Sequence, residues 1–118
     1  MSRRITNWPA FLPETSVPWV PSADVYRTQN GWLLKFDLAG VRLEDVTVSV
    51  RGRYVSVSGV RRDSVIEEGC SHYAMEISYN RFERSIEMPA DLGNARVSLE
   101  ARDGLLLVRV ITEGKKYV

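Results

Sequence analysis

Few residues in this sequence could support catalysis or metal binding, because it contains a single histidine, His72, and a single cysteine, Cys70. A zinc site needs several such ligands, so the sequence predicts no metal site. Composition leaves a Ser-His-Asp triad open, but no serine stands in a Gly-x-Ser-x-Gly turn. We therefore interpret both residues as parts of a surface loop and predict that the protein is not an enzyme.

The glycines and the charges give little support for nucleotide or nucleic-acid binding. No P-loop is present, and Gly31, Gly40 and Gly52 fit turns better than a phosphate cradle. In a distant alternative, Trp32 and Tyr54 are stacking platforms for a single-stranded nucleic acid. The formal net charge of +1 argues against this, since it gives no attraction to a polyanion or an acidic membrane surface. We expect no cofactor and no nucleic-acid partner.

Length and composition indicate one globular domain. A chain of 118 residues, 44% hydrophobic and 26% charged, can bury one core but not two. One cysteine allows no intrachain disulfide, which fits a reducing compartment. No apolar run reaches membrane-spanning length, and no apolar segment follows Arg3-Arg4 to form a secretion signal. We expect a cytoplasmic protein with no membrane span.

The clearest pattern of secondary structure lies in residues 97–110. Val97, Leu99 and Ala101 alternate with polar residues, which predicts a strand with one face in the core. Asp103-Gly104 then predicts a tight hairpin turn, and the apolar run after it predicts a return strand that is buried on both sides. Similar alternation with glycine turns recurs from residue 23 to residue 59, about every ten residues. This rhythm predicts an all-β sandwich or barrel.

Two segments interrupt the rhythm. Residues 1–21 hold four of the five prolines together with Trp8, Phe11 and Leu12, so they form an apolar arm that cannot be a long helix. This arm docks on the domain, docks on another subunit, or stays exposed as an adhesive surface. Residues 61–81 are longer than a usual hairpin connection and contain a short alternating piece at residues 73–77.

Taken in order, the segments of residues 22–110 resemble the small heat-shock protein (α-crystallin) family. Residues 37–40 resemble its Asp-Leu-Pro-Gly element, with Ala39 in place of proline, and residues 55–61 resemble its Leu-x-Ile-x-Gly-x-Arg strand. Residues 82–86 follow its Phe-x-Arg-x-Phe spacing, and Asp103-Gly104-Leu105-Leu106 matches its signature of Asn or Asp followed by Gly-x-Leu. The order and spacing of these pieces make the match specific.

This resemblance implies an immunoglobulin-like β-sandwich that works as an ATP-independent holdase, binding partly unfolded clients to prevent their aggregation. The implied organisation is a proline-rich N-terminal arm at residues 1–21, an α-crystallin domain at residues 22–110 and a short C-terminal tail at residues 111–118. Trp8, Phe11 and Leu12 are then the anchors of the arm for clients or assembly. The alternative is a co-chaperone or adaptor resembling the CS domain, which binds one folded partner.

The resemblance also implies a homodimer, because the long loop looks like that of the bacterial and plant branch, in which a loop strand pairs with the partner subunit. An arginine on the apolar face of residues 82–86 needs a partner, and Glu76 is the expected one, within or across the dimer. The expected dimer-interface residues are Tyr73, Met75, Glu76, Ile77 and Arg84.

Many family members carry an Ile-x-Ile motif in the C-terminal tail, which docks in a groove on a neighbouring dimer. Residues 111–118 have no such motif, so a dimer or small oligomer is expected rather than a large shell. The groove is then expected to be empty or occupied by the arm. The residues expected to line it are Val46, Val48, Val50, Val97 and Leu99.

Overall fold

Seven antiparallel β-strands make up about half of residues 17–112, the part of the chain that the computed structural model describes. They form a four-stranded sheet, in the order β1-β2-β7-β6, and a three-stranded sheet, in the order β3-β4-β5. This architecture confirms the predicted all-β sandwich. The strands are β1 (Ala23–Thr28), β2 (Gly31–Asp37), β3 (Val46–Arg51), β4 (Tyr54–Arg61), β5 (Asn80–Glu87), β6 (Arg96–Arg102) and β7 (Leu105–Ile111).

The hairpin turns lie where the sequence predicts them. Gly52 and Arg53 join β3 to β4, and Gly52 has a φ of 62°. Asp103 and Gly104 join β6 to β7 with φ values of 52° and 79°. Two consecutive positive φ angles are typical of a type I′ turn, whose twist matches that of the flanking strands.

Alternate residues of the strands meet in one apolar core between the sheets. In the four-stranded sheet, Leu34 lies opposite Val108, and Phe36 lies opposite Leu106. All four are buried, and alternation along each strand places them on the same inner face. The complete buried cluster consists of Leu34, Phe36, Leu38, Val55, Val57, Phe82, Met88, Leu92, Leu106, Val108 and Val110.

Gly59 is the point where the three-stranded sheet has no room for a side chain. It lies opposite Phe82 in the pairing of β4 with β5. A Cβ atom there would overlap the backbone carbonyl oxygen of Asp45 and lie 2.8 Å from the Phe82 ring. The missing side chain therefore lets the Phe82 ring pack against the backbone of β4.

An ion-pair cluster ties β6 to β7 on the outer face of the four-stranded sheet. Glu100 accepts hydrogen bonds from Arg102, at 3.0 Å and 3.3 Å, and from Arg109, at 2.9 Å. These hydrogen bonds, that from Arg102 first, lower the pKa of the Glu100 carboxyl from its ordinary value. The edge strand β6 is thus held by side chains as well as by its backbone ladder.

The ordered structure extends past the expected domain limits at both ends. The backbone N–H of Thr112 donates to the carbonyl oxygen of Asn30 at 2.8 Å, and Thr112 is buried. At the other end, Trp19 forms a parallel bridge with Phe82 of β5. Both residues pack with the sandwich because their backbone groups find partners there. No helix within residues 17–112 is long and apolar enough to cross a membrane.

Replacing Gly59 with alanine should destabilise the fold by about 3 kcal/mol, because overpacking a dense core forces backbone or ring displacement. Chemical denaturation measures the free energy of unfolding. The control is Ser58→Ala on the opposite face of the same strand, which should stay within about 0.5 kcal/mol of the native chain. Equal stability of Gly59→Ala and Ser58→Ala would contradict the packing described here.

Replacing Glu100 with glutamine should change the pH dependence of stability. Because the folded-state pKa of Glu100 is lowered, its carboxylate stabilises the fold above its unfolded pKa, and this contribution is lost as the pH falls through the folded pKa. The melting temperature of Glu100→Gln should therefore lie below that of the native chain near pH 7. The two should converge only in acid below the ordinary carboxyl range, once Glu100 is protonated in the folded chain as well. A pH-independent difference would show that the ion pairs do not stabilise the fold.

Candidate interaction surfaces

The edge strands β3 and β6 lie on the same side of the sandwich, where one pocket is lined by residues of both. We call the surface between these two strands the groove. Each of these strands has a neighbour on only one side of its sheet. Val48 and Val50 of β3 lie opposite the buried residues Val57 and Val55, so they point toward the interior but are only half-buried. Val46 continues this row and packs against the core from its margin. All three predicted groove residues of β3 thus line the open side.

The groove residues of β6 are more exposed than the sequence pattern predicts. Val97 and Leu99 lie opposite Val110 and Val108, which are fully buried, so they share the inner face. Yet Val97 is 40% and Leu99 is 38% exposed. The prediction that this face lies in the core is therefore wrong at the edge. The three-stranded sheet ends at β3, and within residues 17–112 no further strand covers the inner face of β6.

A pocket of about 200 Å³ lies at one end of this groove and shows that β3 and β6 approach each other. Val46 and Leu43 form one wall, while Ala101 and Leu106 belong to the opposite hairpin. Arg102 also lines the pocket, so the apolar floor has a charged rim. Asp103 lines the same end, and the apolar part of the pocket can accept large apolar side chains.

The long connection between β4 and β5 carries the predicted dimer residues on its surface. Tyr73, Met75 and Ile77 are all exposed, and so is Glu76. The alternating residues 73–77 form no strand within the single chain. A five-residue segment with no strand beside it has no partner for its backbone hydrogen bonds, so it is not stable as a strand on its own.

Arg84 takes a partner that the sequence does not reveal. It is half-buried, and its Nη1 atom donates to the carbonyl oxygen of Pro21 at 2.9 Å. Within one chain, Arg84 is therefore hydrogen-bonded to the segment that leads into β1. A pairing of Arg84 with Glu76 across a dimer stays a prediction.

Trp19 and Arg61 form a second cluster that the sequence pattern misses. The guanidinium of Arg61 lies 4.3 Å from the centroid of the Trp19 ring and donates to the carbonyl oxygens of Ala39 and Ser78, at 3.0 Å and 2.9 Å. The Trp19 indole N–H donates to the carbonyl oxygen of Asn80 at 3.2 Å. The available signals were a tryptophan between two prolines and an arginine ending a strand, and neither identifies its partner.

Arg62 makes a bidentate pair with Asp45 at the start of the same loop. Its Nε and Nη2 atoms donate to the two carboxylate oxygens of Asp45, at 3.0 Å and 3.2 Å. These hydrogen bonds lower the pKa of Asp45 and raise the pKa of Arg62. The first residue of the loop after β4 is therefore held next to the start of β3.

The remaining predicted residues give no catalytic arrangement. Cys70 is an exposed free thiol, and His72 is exposed in the same loop. Residues 17–112 contain no group of three or more histidine, cysteine or acidic side chains that could hold a metal ion. Trp8, Phe11 and Leu12, the predicted anchors of the arm, lie outside the described residues.

Comparisons with known proteins agree with this architecture. A model of the Hsp20/alpha crystallin family matches residues 24–117. Spore protein SP21 of Stigmatella aurantiaca is 33% identical over 103 residues, which cover 86% of this chain and 61% of that protein. Small heat shock protein C2 of Rickettsia felis is 22% identical over 100 residues, covering 85% of this chain and 65% of that protein. The chain thus spans slightly less than two thirds of these curated relatives.

Solved structures share the fold. Heat shock protein 16.0 from Schizosaccharomyces pombe matches with a TM-score of 0.70 and 26% identity, covering 84% of this chain and 92% of that chain. The hspA protein of Xanthomonas axonopodis matches with a TM-score of 0.67 and 24% identity, covering 82% and 97%. The family model covers most of the domain, and the sandwich is the one these structures have. This chain therefore belongs to the Hsp20/alpha crystallin family of small heat shock proteins.

Proposed function

We propose that this small heat shock protein is an ATP-independent holdase, which binds partly unfolded proteins and keeps them from aggregating. The observation that carries the proposal is the uncovered apolar groove between β3 and β6. Holding an unfolded chain needs exposed apolar surface on a stable frame, and it needs no reacting group. The sandwich supplies the frame, since its core strands β2, β4 and β7 are buried between neighbours.

The groove suits an extended client segment for two reasons. Its floor is apolar, so it can take alternate large side chains from an unfolded chain. Its margins are two strand edges, whose free backbone groups can pair with an added extended segment. Apolar contacts and backbone hydrogen bonds do not depend on a particular client sequence, as a protein that protects many clients requires.

The arm is the second proposed client surface. Trp8, Phe11 and Leu12 are large apolar residues, and each can contribute roughly 1.5–3 kcal/mol of transfer free energy when it becomes buried. The structure supports a defined root for this arm, because Trp19 is fixed against β5. Clients or other subunits then compete for the arm. The cytoplasmic location expected from the sequence stays a prediction.

The proposed assembly unit is a homodimer made by exchange of the long loop. The strand β1 pairs with β2 on one side, has no strand on the other among the described residues 17–112, and is mostly exposed. An open edge of this kind is a liability that proteins usually cover. Residues 73–77 of a second subunit have a suitable length and alternation, and two-fold symmetry would cover both β1 edges at once.

The holdase proposal predicts suppression of aggregation without nucleotide, measured by light scattering of a heat-denatured client enzyme. Leu99→Asp should weaken the suppression about tenfold or more, because it places a charge on the groove floor and removes about 2 kcal/mol of apolar contact. The matched control is Ser98→Asp, which puts the same charge on the outer face of the same strand. Deleting residues 1–17 should also weaken capture while leaving the domain folded.

Two results would contradict the holdase proposal. One is a folded native chain that fails to suppress aggregation even in excess, as a co-chaperone specific for one folded partner would. The other is equal activity of Leu99→Asp and Ser98→Asp, which would place client binding away from the groove. Circular dichroism confirms that each variant is folded.

The dimer proposal predicts that removing residues 73–77 gives folded monomers, as measured by light-scattering mass. A double-mutant cycle with Arg84→Ala and Glu76→Ala then tests the predicted partner, with the dimer dissociation constant as the readout. If the two side chains pair across the dimer, the combined effect should differ from the sum by at least about 0.5 kcal/mol. Additive effects would exclude this pair, and unchanged dimerisation of the shortened chain would exclude loop exchange.

A further inference from the structure

The arm and the long loop meet at a single side chain, the guanidinium of Arg61. Its Nε atom binds the carbonyl oxygen of Ala39, and its Nη1 atom binds the carbonyl oxygen of Ser78, near the end of the loop. One face of the same guanidinium lies against the Trp19 ring. Three segments that are distant in sequence therefore share one cation: the root of the arm, the connection after β2 and the end of the loop.

Trp19 is itself held by the residues where the loop ends. Its indole N–H binds the carbonyl oxygen of Asn80, and its backbone N–H binds the carbonyl oxygen of Arg81 at 3.1 Å. Its own carbonyl oxygen accepts from the backbone N–H of Glu83 at 3.0 Å, and its ring packs 5.3 Å from that of Phe82. The arm root thus serves as a short added strand on the edge of β5.

The arm root, residues 18–21, is a stiff segment, so a displacement of the arm is transmitted to Trp19. Pro18 and Pro21 flank Trp19, and their fixed φ angles stiffen the segment. The carbonyl oxygen of Pro21 is held by Arg84. The beginning of the loop is fixed separately, by the pairing of Arg62 with Asp45. The end of the loop lies beside the last rung of the β4–β5 ladder and is held in addition by the side-chain contacts of Arg61 and Trp19.

We infer that the Trp19–Arg61 cluster couples the arm to the loop, with Arg61 as the positioning residue. While Trp19 lies against β5, its ring and Arg61 hold residues 78–80 in place and so limit the excursions of the loop. When the arm moves away, Trp19 separates from β5, and its contacts with Arg61 and Asn80 are lost. The end of the loop is then held less firmly, and the loop opens more readily. Coupling between two sites is reciprocal, so release of the loop must also loosen the root of the arm.

Cys70 offers a direct readout, because it is the only cysteine of the chain and lies exposed in the middle of the loop. Hydrogen exchange of residues 62–79 and thiol labelling of Cys70 are measured on the full-length chain at one protein concentration. The variants are Trp19→Phe, which removes the indole hydrogen bond but keeps an aromatic ring, Trp19→Ala and Arg61→Lys. The matched control is Trp32→Phe, since Trp32 also carries a stacked arginine, Arg27 at 4.7 Å, but lies in the other sheet.

Trp19→Ala should raise loop exchange about fivefold or more, the lower end of typical coupling between sites. Trp19→Phe and Arg61→Lys should give smaller increases, and Trp32→Phe should give none. Exchange of the buried β7 amides should stay unchanged, since these open only with global unfolding, whereas general destabilisation would accelerate them too. Conversely, removing residues 73–77 should raise exchange at residues 17–21.

Loop exchange in Trp19→Ala and Arg61→Lys within twofold of the native chain would overturn the inference. So would a parallel rise in β7 exchange, which would assign the cluster to general stability. Neither readout depends on client binding. A chain that shows the coupling but suppresses no aggregation would therefore refute the proposed holdase function alone.

Discussion

The edges of the two sheets impose the constraint on which the rest of this structure depends. Backbone N–H and C=O groups need hydrogen-bond partners, and a sandwich of two open sheets leaves a row of them at each of four edges. The four edges differ in whether a further segment pairs with them. The edge of β5 receives Trp19 as a short parallel partner, whereas β1, β3 and β6 have no further strand beside them within residues 17–112. One side of the molecule is thus closed by its own arm root.

The two sides of the sandwich differ as a result. On the closed side, Trp19 packs against Phe82, which is buried, and Arg84 binds the carbonyl oxygen of Pro21. On the open side, Val97 and Leu99 belong by register to the core but remain partly exposed. Apolar side chains that point inward at an uncovered edge create a groove without disturbing the buried cluster behind it. A buried core and an exposed apolar margin therefore occur together in one small domain.

Much of this fold could be predicted from local pattern. Alternation of apolar residues located most of the strands, a continuous apolar run located β7, and Asp103-Gly104 located a turn whose φ angles only a few residue types adopt readily. The exposure of Leu99 could not be predicted, since alternation shows which face a residue takes but not whether another sheet reaches far enough to cover it. The partners of Arg61 and Arg84 were equally hidden. Both bind backbone carbonyls, and any residue type supplies a carbonyl, so no pairing of complementary side chains marks the contact.

The pairing of Arg61 with Asn80 has a consequence for how such proteins diversify. These residues face each other at the last rung of the β4–β5 ladder, so residues 62–79 form a loop whose two ends are already joined. The entropy of closing a loop grows only with the logarithm of its length, and doubling the length costs about 0.6 kcal/mol. Insertions and deletions there should therefore cost the sandwich little, while they change the segment that we propose is exchanged between subunits. Loop length can thus vary among related chains, and with it the proposed choice of partner subunit, while the domain stays the same.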